Sequence, residues 1–326
     1  MKDLFLNPDV LFNPERIPTR FGYGDGLVAL GKSNPAVVVL GADLSSSLCV
    51  DRFREAFPDR FIQTGIAEQD MMALAAGLSL AGKIPYVTTY GVFCTGRAWD
   101  QLRTTVAYAK LNVKVGSGHG GVSVGADGAT HQALEDISIT RTIPNVTVIV
   151  PCDYQETLKA TIASASIQGP VVIRFGREKV PVVTAEQTPF SPGKAEVFRE
   201  GTDVSIVACG QMVYEALAAA EELAGEGVSA RVINCHTVKP LDMETILTAA
   251  RETGAMVTAE EHQVMGGFGS AVAEVVCQNC PVPMKMIGVQ DTFGQSGDPE
   301  ELMREYGLTS DFIVKAARHV IAMKRG

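Results

Sequence analysis

The sequence predicts an α/β protein made of two doubly wound, mostly parallel-sheet domains, and three observations carry that prediction. Strand and helix patterns alternate almost throughout the 326 residues, as when helices are layered on a mostly parallel sheet. The strand patterns are short β-branched runs, such as AVVVL at residues 36–40, suited to burial on both faces. The alternation breaks once, at residues 180–194 (VPVVTAEQTPFSPGK), where three prolines and no apolar periodicity mark a linker. A boundary inside that linker gives domains 1–185 and 186–326.

The elements follow in order. Residues 36–40 form the first buried strand, and residues 146–151 (VTVIVP) and 171–175 (VVIRF) are two more of the same kind. Apolar residues at helical spacing predict helices over 69–81, 97–110 and 154–167. Beyond the linker the pattern restarts with a strand at 204–208, a helix at 213–224 and a strand at 230–234. A helix near 242–252, a strand at 256–259, a helix at 270–276 and a strand at 284–289 continue it. A C-terminal helix begins at Ser310. No repeat of solenoid or propeller length is visible.

Composition narrows the function. Hydrophobic residues make up 46% and charged residues 20%, enough for a sizeable core. The balance of 28 Lys+Arg against 37 Asp+Glu, net −9, argues against a nucleic-acid binder, which needs a basic footprint. Two or three local arginines could still hold an anionic small molecule. The longest uncharged apolar stretch, residues 71–82, is too short to span a bilayer, so no membrane role is expected. The N-terminal MKDLFLNPDV has neither an apolar segment of useful length nor a small-residue cleavage site. Seven scattered cysteines, an odd number, point to reduced thiols and a cytoplasmic location.

Several familiar patterns fail on context. Gly24-Asp25-Gly26 mimics a dinucleotide fingerprint, but the strand that should precede it comes after, so it reads as a glycine-bearing helix start. Gly121-Val-Ser123-Val-Gly125 matches a nucleophile elbow without the helix that must follow. Cys277-Gln-Asn-Cys280 has no second pair and no nearby histidine, so a zinc site is not expected. Residues 116–131 (GSGHGGVSVGADGATH) are different: many glycines imply a backbone folded tightly around something, or a plain surface loop. Two of the chain's five histidines, His119 and His131, sit there beside Asp127, which favours the first reading.

Two other segments converge on that loop. Residues 61–70 run from an apolar strand through Gly65 into a helix beginning near Glu68, where an acid is also favoured by helix electrostatics alone. Tyr90-Gly-Val-Phe93 ends the next strand pattern. Ligands of open parallel sheets bind outside the carboxyl ends of strands, and three such ends deliver Glu68, Tyr90/Phe93 and His119.

These residues resemble the transketolase group of thiamine-diphosphate enzymes. Gly65-Ile-Ala-Glu68-Gln69 looks like the family's pyrimidine-binding turn, and Tyr90-x-x-Phe93 like its aromatic pocket. Gly125-Ala-Asp127-Gly-Ala-Thr-His131-Gln132 is similar to its G-x-D-G-P-T-H-Q loop, with Ala129 in place of the usual proline. Asp291-Thr-Phe-Gly-Gln-Ser-Gly297 resembles the signature of its last domain. The resemblance covers nearly the whole chain but only the C-terminal half of a standard transketolase. It implies a thiamine-diphosphate-fold pyrimidine domain followed by a transketolase C-terminal-like domain.

Position by position, the resemblance implies roles. Glu68 would hydrogen-bond the cofactor's aminopyrimidine and promote loss of its C2 proton, forming the catalytic set with His119 and His131. Phe93 would stack on that ring with Tyr90 beside it, and Asp43 matches an interface acid near the cofactor. His119, Asp127 and His131 would meet the ketose carbonyl and hydroxyls. Arg20, Ser47 and Arg177 match positions that hold the sugar phosphate, with Arg174 a competing choice.

The family holds the diphosphate and its Mg²⁺ (or Ca²⁺) through G-D-G followed further on by N-N. Here Gly24-Asp25-Gly26 precedes the first strand and no Asn-Asn follows, so no metal ligand is expected in this chain. The expectation is the C-terminal subunit of a split transketolase. It would self-dimerise and pair with an N-terminal subunit in a two-plus-two heterotetramer that transfers ketol units between sugar phosphates. The competing readings are the beta subunit of a 2-oxo-acid dehydrogenase's decarboxylating component, a deoxyxylulose-phosphate-synthase-like chain, and a silent regulatory half. The polar loop at 127–132 suits a polyol better than a short oxo-acid. A silent copy would have no reason to keep the acid, the aromatics and both histidines together.

Overall fold

The computed structural model describes residues 6–325. The chain enters through strand β1 (Arg16–Pro18) and helix α1 (Thr19–Ser33), then β2 (Val37–Gly41), α2 (Asp51–Ala56) and β3 (Phe61–Gln63). Next come α3 (Glu68–Leu80), β4 (Ile84–Tyr90), α4 (Gly91–Gly96), β5 (Lys114–Gly118) and α5 (Asp136–Arg141). Strand β6 (Thr147–Ile149), α6 (Tyr154–Ser164), β7 (Val171–Arg174) and β8 (Lys179–Pro181) follow. The second half holds β9 (Glu196–Arg199), β10 (Val204–Ala208), α7 (Met212–Gly225), β11 (Ala230–Asn234), β12 (Thr237–Lys239) and α8 (Met243–Thr253). It ends with β13 (Met256–Gln263), α9 (Phe268–Asn279), β14 (Met284–Val289), α10 (Pro299–Glu305) and α11 (Ser310–Arg325).

Strands β1 and β8 pair antiparallel in a small sheet, and two larger sheets organise the other strands. One has seven strands in the order β12-β6-β7-β5-β4-β2-β3, and the other has five in the order β14-β13-β10-β11-β9. In these two sheets all neighbours are parallel except the edge strands β12 and β9. Strand β12 comes from the second half of the chain yet closes the first sheet, and one apolar cluster runs from Val38 through Val207 to Phe268. The two units therefore share a core. In the first sheet, β2 leads outward to β3 and the chain then returns to place β4 on the other side of β2. That reversal opens a crevice at the carboxyl ends of β2 and β4.

Local chemistry explains the elements. Strand β2 (VVVLG) is buried at every position. The carboxylates of Asp153, Asp242 and Asp298 accept backbone N–H bonds at the starts of α6, α8 and α10, satisfying donors a helix cannot. Gly254 ends α8 in the left-handed conformation.

Three expectations need correction. The glycines 24 and 26 lie inside α1 and not at its start, because the helix is packed with no room for a side chain against Cys49 at Gly24 and against α6 at Gly22 and Gly26. A Cβ on Gly22 would collide with the Tyr154 carbonyl, and one on Gly26 would lie 2.7 Å from Thr161 Cβ. The helix predicted over 97–110 is mostly a π-helical segment, Gln101–Ala107, and α4 ends ahead of it at Gly96. The buried residues Ala98, Leu102 and Val106 repeat every four residues, wider than the α-helical 3.6, and looser winding keeps them facing inward. The glycine-rich stretch begins as strand: Gly116, Ser117 and Gly118 belong to β5, since Cβ atoms at 116 and 118 would strike Tyr23 and Leu48.

Gly22→Ala should destabilise the chain by about 1–3 kcal/mol through overpacking against α6. Gly77→Ala, in α3 with open space around it, should be neutral or stabilising by up to about 1 kcal/mol. Urea unfolding of both variants checks this, and equal midpoints would remove the packing explanation.

Candidate active site

The crevice at the carboxyl ends of β2, β3, β4, β5 and β7 collects most of the residues singled out in the sequence. Strand β2 is followed by Asp43 and Ser47, β3 by Glu68, β4 by Phe93 with Tyr90 as its last residue, β5 by His119, and β7 by Arg177. A parallel sheet aligns these ends on one edge, so neighbouring strands set the spacing.

His119 is fully buried, and its backbone sits in the left-handed region (φ 58°) between Gly118 and the pair Gly120-Gly121. A non-glycine residue there costs of order 1 kcal/mol, so the surrounding packing must hold it. The ring stacks on Tyr90 with centroids 3.8 Å apart, and Nε2 lies 3.4 Å from the Ser47 hydroxyl. Ser47 is itself 2.7 Å from the Tyr90 hydroxyl, across the switch point between β2 and β4. His119 Nδ1 is buried without a partner. Burial lowers its pKa to about 3, helped by the nearby charges of Arg20, Arg177 and His131. His119 is therefore a neutral imidazole with a free ring nitrogen.

Phe93 and His131 complete the ring cluster. The Tyr90 and Phe93 rings are stacked at 5.8 Å, and His131 meets Phe93 edge-on at 5.3 Å and Tyr90 at 6.0 Å. His131 Nδ1 is 2.8 Å from the Thr130 hydroxyl.

Glu68 is the first residue of α3, where the helix dipole favours a carboxylate, yet it is only 4% exposed. It is met by Arg97, whose Nη1 donates to Oε1 at 2.9 Å. The same guanidinium lies over the Phe93 ring, 4.1 Å from its centroid. Sequence reasoning missed Arg97, because Glu68 and Arg97 stand on different elements and only the fold joins them.

Of the anion-site candidates, Arg20 donates to the Ser47 carbonyl at 2.8 Å and leaves its Nε without a partner. Arg177 pairs with Asp127 at 3.0 Å and donates to the Val124 carbonyl at 2.9 Å. Arg174 is placed elsewhere. It is buried, donates to Asp136 at 2.8 Å and to the carbonyls of Ala133 and Glu261 at 3.1 and 2.8 Å, and has no access to the crevice. Asp43 pairs with Gln63 at 3.1 Å, at the β2–β3 end and apart from the ring cluster.

The glycine-rich loop is gripped from the second domain. Gln132 donates to Val122 O and to Gln295 O, both at 2.9 Å, and a Cβ on Gly128 would lie 2.5 Å from Ser296 Oγ. Ser123 N donates to the buried Glu261 carboxylate at 2.7 Å. The sequence did hold a signal for Glu261, since two acids interrupt the apolar run MVTA that opens β13. Among the described residues no group of three or more His, Cys, Asp or Glu side chains is arranged to hold a metal ion.

This arrangement offers a carboxylate, an aromatic platform and one imidazole nitrogen for a flat polar ligand, and comparison with known proteins places the chain in a family. Residues 15–183 match the family described as transketolase, pyrimidine binding domain, and residues 193–313 match transketolase, C-terminal domain. A 6-deoxy-6-sulfo-D-fructose transketolase subunit of Clostridium sp. (strain MSTE9) is 44% identical, over 93% of this chain and 94% of that one. A putative transketolase C-terminal section of Methanocaldococcus jannaschii is 43% identical, over 91% and 94%. Among solved structures, a split-gene transketolase in the form of an inactive β4 tetramer superposes with a TM-score of 0.89. It is 48% identical and is covered over its full length by 95% of this chain. The chain belongs to the transketolase family, among the C-terminal subunits of split transketolases.

Proposed function

We propose that the chain is the C-terminal subunit of a two-chain transketolase that moves a two-carbon ketol unit from a ketose phosphate to an aldose phosphate. The observation that carries this reading is the convergence of Glu68, the Tyr90–Phe93 pair, His119 and His131 at one sheet edge. Its two units, residues 1–185 and 186–326, are a pyrimidine-binding domain and a C-terminal domain that clamps the glycine-rich loop.

The residues present fit the pyrimidine half of thiamine diphosphate: a carboxylate at a helix start, a phenylalanine face beside it, and a buried imidazole nitrogen awaiting a partner. When bound, that cofactor supplies the carbanion chemistry of ketol transfer. Glu68 would hydrogen-bond the pyrimidine ring, and Phe93 and Tyr90 would pack against it. His119, neutral at physiological pH, and His131 hold and pass protons at the ketose carbonyl and hydroxyl oxygens. Asp127 accepts from a donor hydroxyl. Arg20, Ser47 and Arg177 take the anionic end of the sugar, and Asp43 stands at the subunit boundary near the cofactor.

The diphosphate and its Mg²⁺ belong to an N-terminal partner. A chain of net charge −9, with no cluster of His, Cys, Asp or Glu arranged for a metal among its described residues, offers a diphosphate little. The β4 form of the split-gene relative, described as inactive, supports self-association of this type of chain and dependence on a second one. We place the complex, two copies of each chain, in the cytoplasm. The seven cysteines, all unpaired, suit that compartment, and among the described residues no helix is long and apolar enough to cross a membrane. The substrate named for the Clostridium relative, 6-deoxy-6-sulfo-D-fructose, also carries an anionic terminus, which supports an anion site at the end of the crevice.

Activity should appear only when an N-terminal partner is titrated in, saturating near one-to-one, with Mg²⁺ and thiamine diphosphate in excess. Turnover of a ketose by the isolated chain would sink the two-chain reading. Arg177→Ala should raise KM for phosphorylated ketoses about 10- to 100-fold, since a charge-assisted bond contributes about 1.5–3 kcal/mol, and should change unphosphorylated ones much less. An equal effect on both classes would assign Arg177 to folding instead.

His119 has a folded-state pKa below the unfolded value of about 6.5. Its contribution to stability is therefore complete above that pH and is lost as the pH falls toward 3. Its ring-proton NMR shift should stay flat between pH 5 and 8. A midpoint near 6.5 in the folded chain would contradict the buried neutral imidazole.

A further inference from the structure

The two contacts just assigned to the cofactor's aminopyrimidine are both made, in this structure, by one of the chain's own side chains. Arg97 donates to Glu68 at 2.9 Å and lies over Phe93 at 4.1 Å. A guanidinium and an aminopyrimidine share the required features, being flat, polarisable at the face and hydrogen-bonding at the edge. The need for such a group is physical. Glu68 is 4% exposed, and a buried carboxylate left without a partner is costly. Arg97 meets that need while remaining 50% exposed, so its head can turn outward into water. Its backbone is held: Gln69 donates to the Arg97 carbonyl at 3.1 Å, Ala98 is buried, and the Trp99 indole donates to the Ile139 carbonyl at 3.0 Å.

We propose that Arg97 is a placeholder for the aminopyrimidine. It keeps Glu68 and Phe93 satisfied before thiamine diphosphate binds, and it gives up both contacts when the ring takes them. Cofactor affinity is then the outcome of a competition within the chain. This rests on the assignment of Glu68 and Phe93 to the cofactor.

The test is calorimetric titration of thiamine diphosphate, with saturating Mg²⁺, into the two-chain enzyme carrying Arg97→Ala, Arg97→Lys or Glu68→Gln. Removing a half-exposed ion pair and a cation–π contact should tighten binding about three- to thirty-fold in Arg97→Ala. Arg97→Lys, which keeps the charge but loses the planar fork, should tighten it less. The cofactor-free Arg97→Ala enzyme should also melt lower than wild type, while the cofactor-bound forms melt together. A role in merely supporting the site would weaken binding and lower both melting points. Unchanged or weaker binding in Arg97→Ala, with Glu68→Gln still impaired, overturns the placeholder and leaves the proposed function standing. Should Arg97→Ala fail to assemble, unchanged or weaker binding in Arg97→Lys overturns it equally. Unaltered affinity and turnover in Glu68→Gln would overturn the cofactor assignment itself, and the placeholder with it.

Discussion

One buried guanidinium holds the site together. Arg174, at the end of β7, bonds the Asp136 carboxylate at the start of α5, the Ala133 carbonyl at the end of the glycine-rich loop, and the Glu261 carbonyl in the second domain. Its guanidinium also packs under Gly120, where a Cβ would lie 2.7 Å from Cζ. Breaking a buried pair of this kind costs about 3–5 kcal/mol, because the abandoned charge stays desolvated. The loop bearing His119, Asp127 and His131 runs between these anchors. Its geometry therefore depends on Arg174 keeping both domains in register.

The second domain reinforces that grip and has no chemistry of its own in this reading. Glu261 receives the Ser123 N–H and the Gln211 amide, and burial pushes its carboxyl pKa upward against the pull of Arg174. Gln132 and the loop around Ser296 close over the other side. The loop can thus be glycine-rich and still ordered: its glycines permit close approach, and its neighbours remove the freedom those glycines would otherwise have. A precise constellation needs this second layer, since a catalytic ring misplaced by about 1 Å loses most of its value.

Within the crevice, burial tunes the chemistry more than charge pairing does. The His119 pKa is lowered chiefly by desolvation, and the nearby arginines add to it. Glu68 escapes the same isolation through the helix start and Arg97. Arg97 thus satisfies the buried Glu68 carboxylate, while His119 Nδ1 and Arg20 Nε find no partner among the described residues.

The sequence by itself determined the fold class and most of the elements, and it named the residues proposed for the site. Short apolar runs at residues 204–208, 230–234 and 284–289 became strands at the same bounds, and the first is buried at every position, which leaves it one conformation. Glu68, Phe93, His119 and His131 were legible because they stand in short contiguous motifs, and a turn or strand end is a local property. The tertiary structure alone decided what crosses between elements. It put the glycines of α1 inside the helix because α6 lies against Gly22 and Gly26 and Cys49 against Gly24, and loosened the winding at Gln101–Ala107 because the buried stripe repeats every four residues. It sent Arg174 inward and left Arg177 beside Asp127, although both arginines come from one short stretch. It also joined Arg97 to Glu68. Neither pattern nor propensity reports such contacts, because they depend on where distant backbone segments stop, and the packing of two sheets sets that.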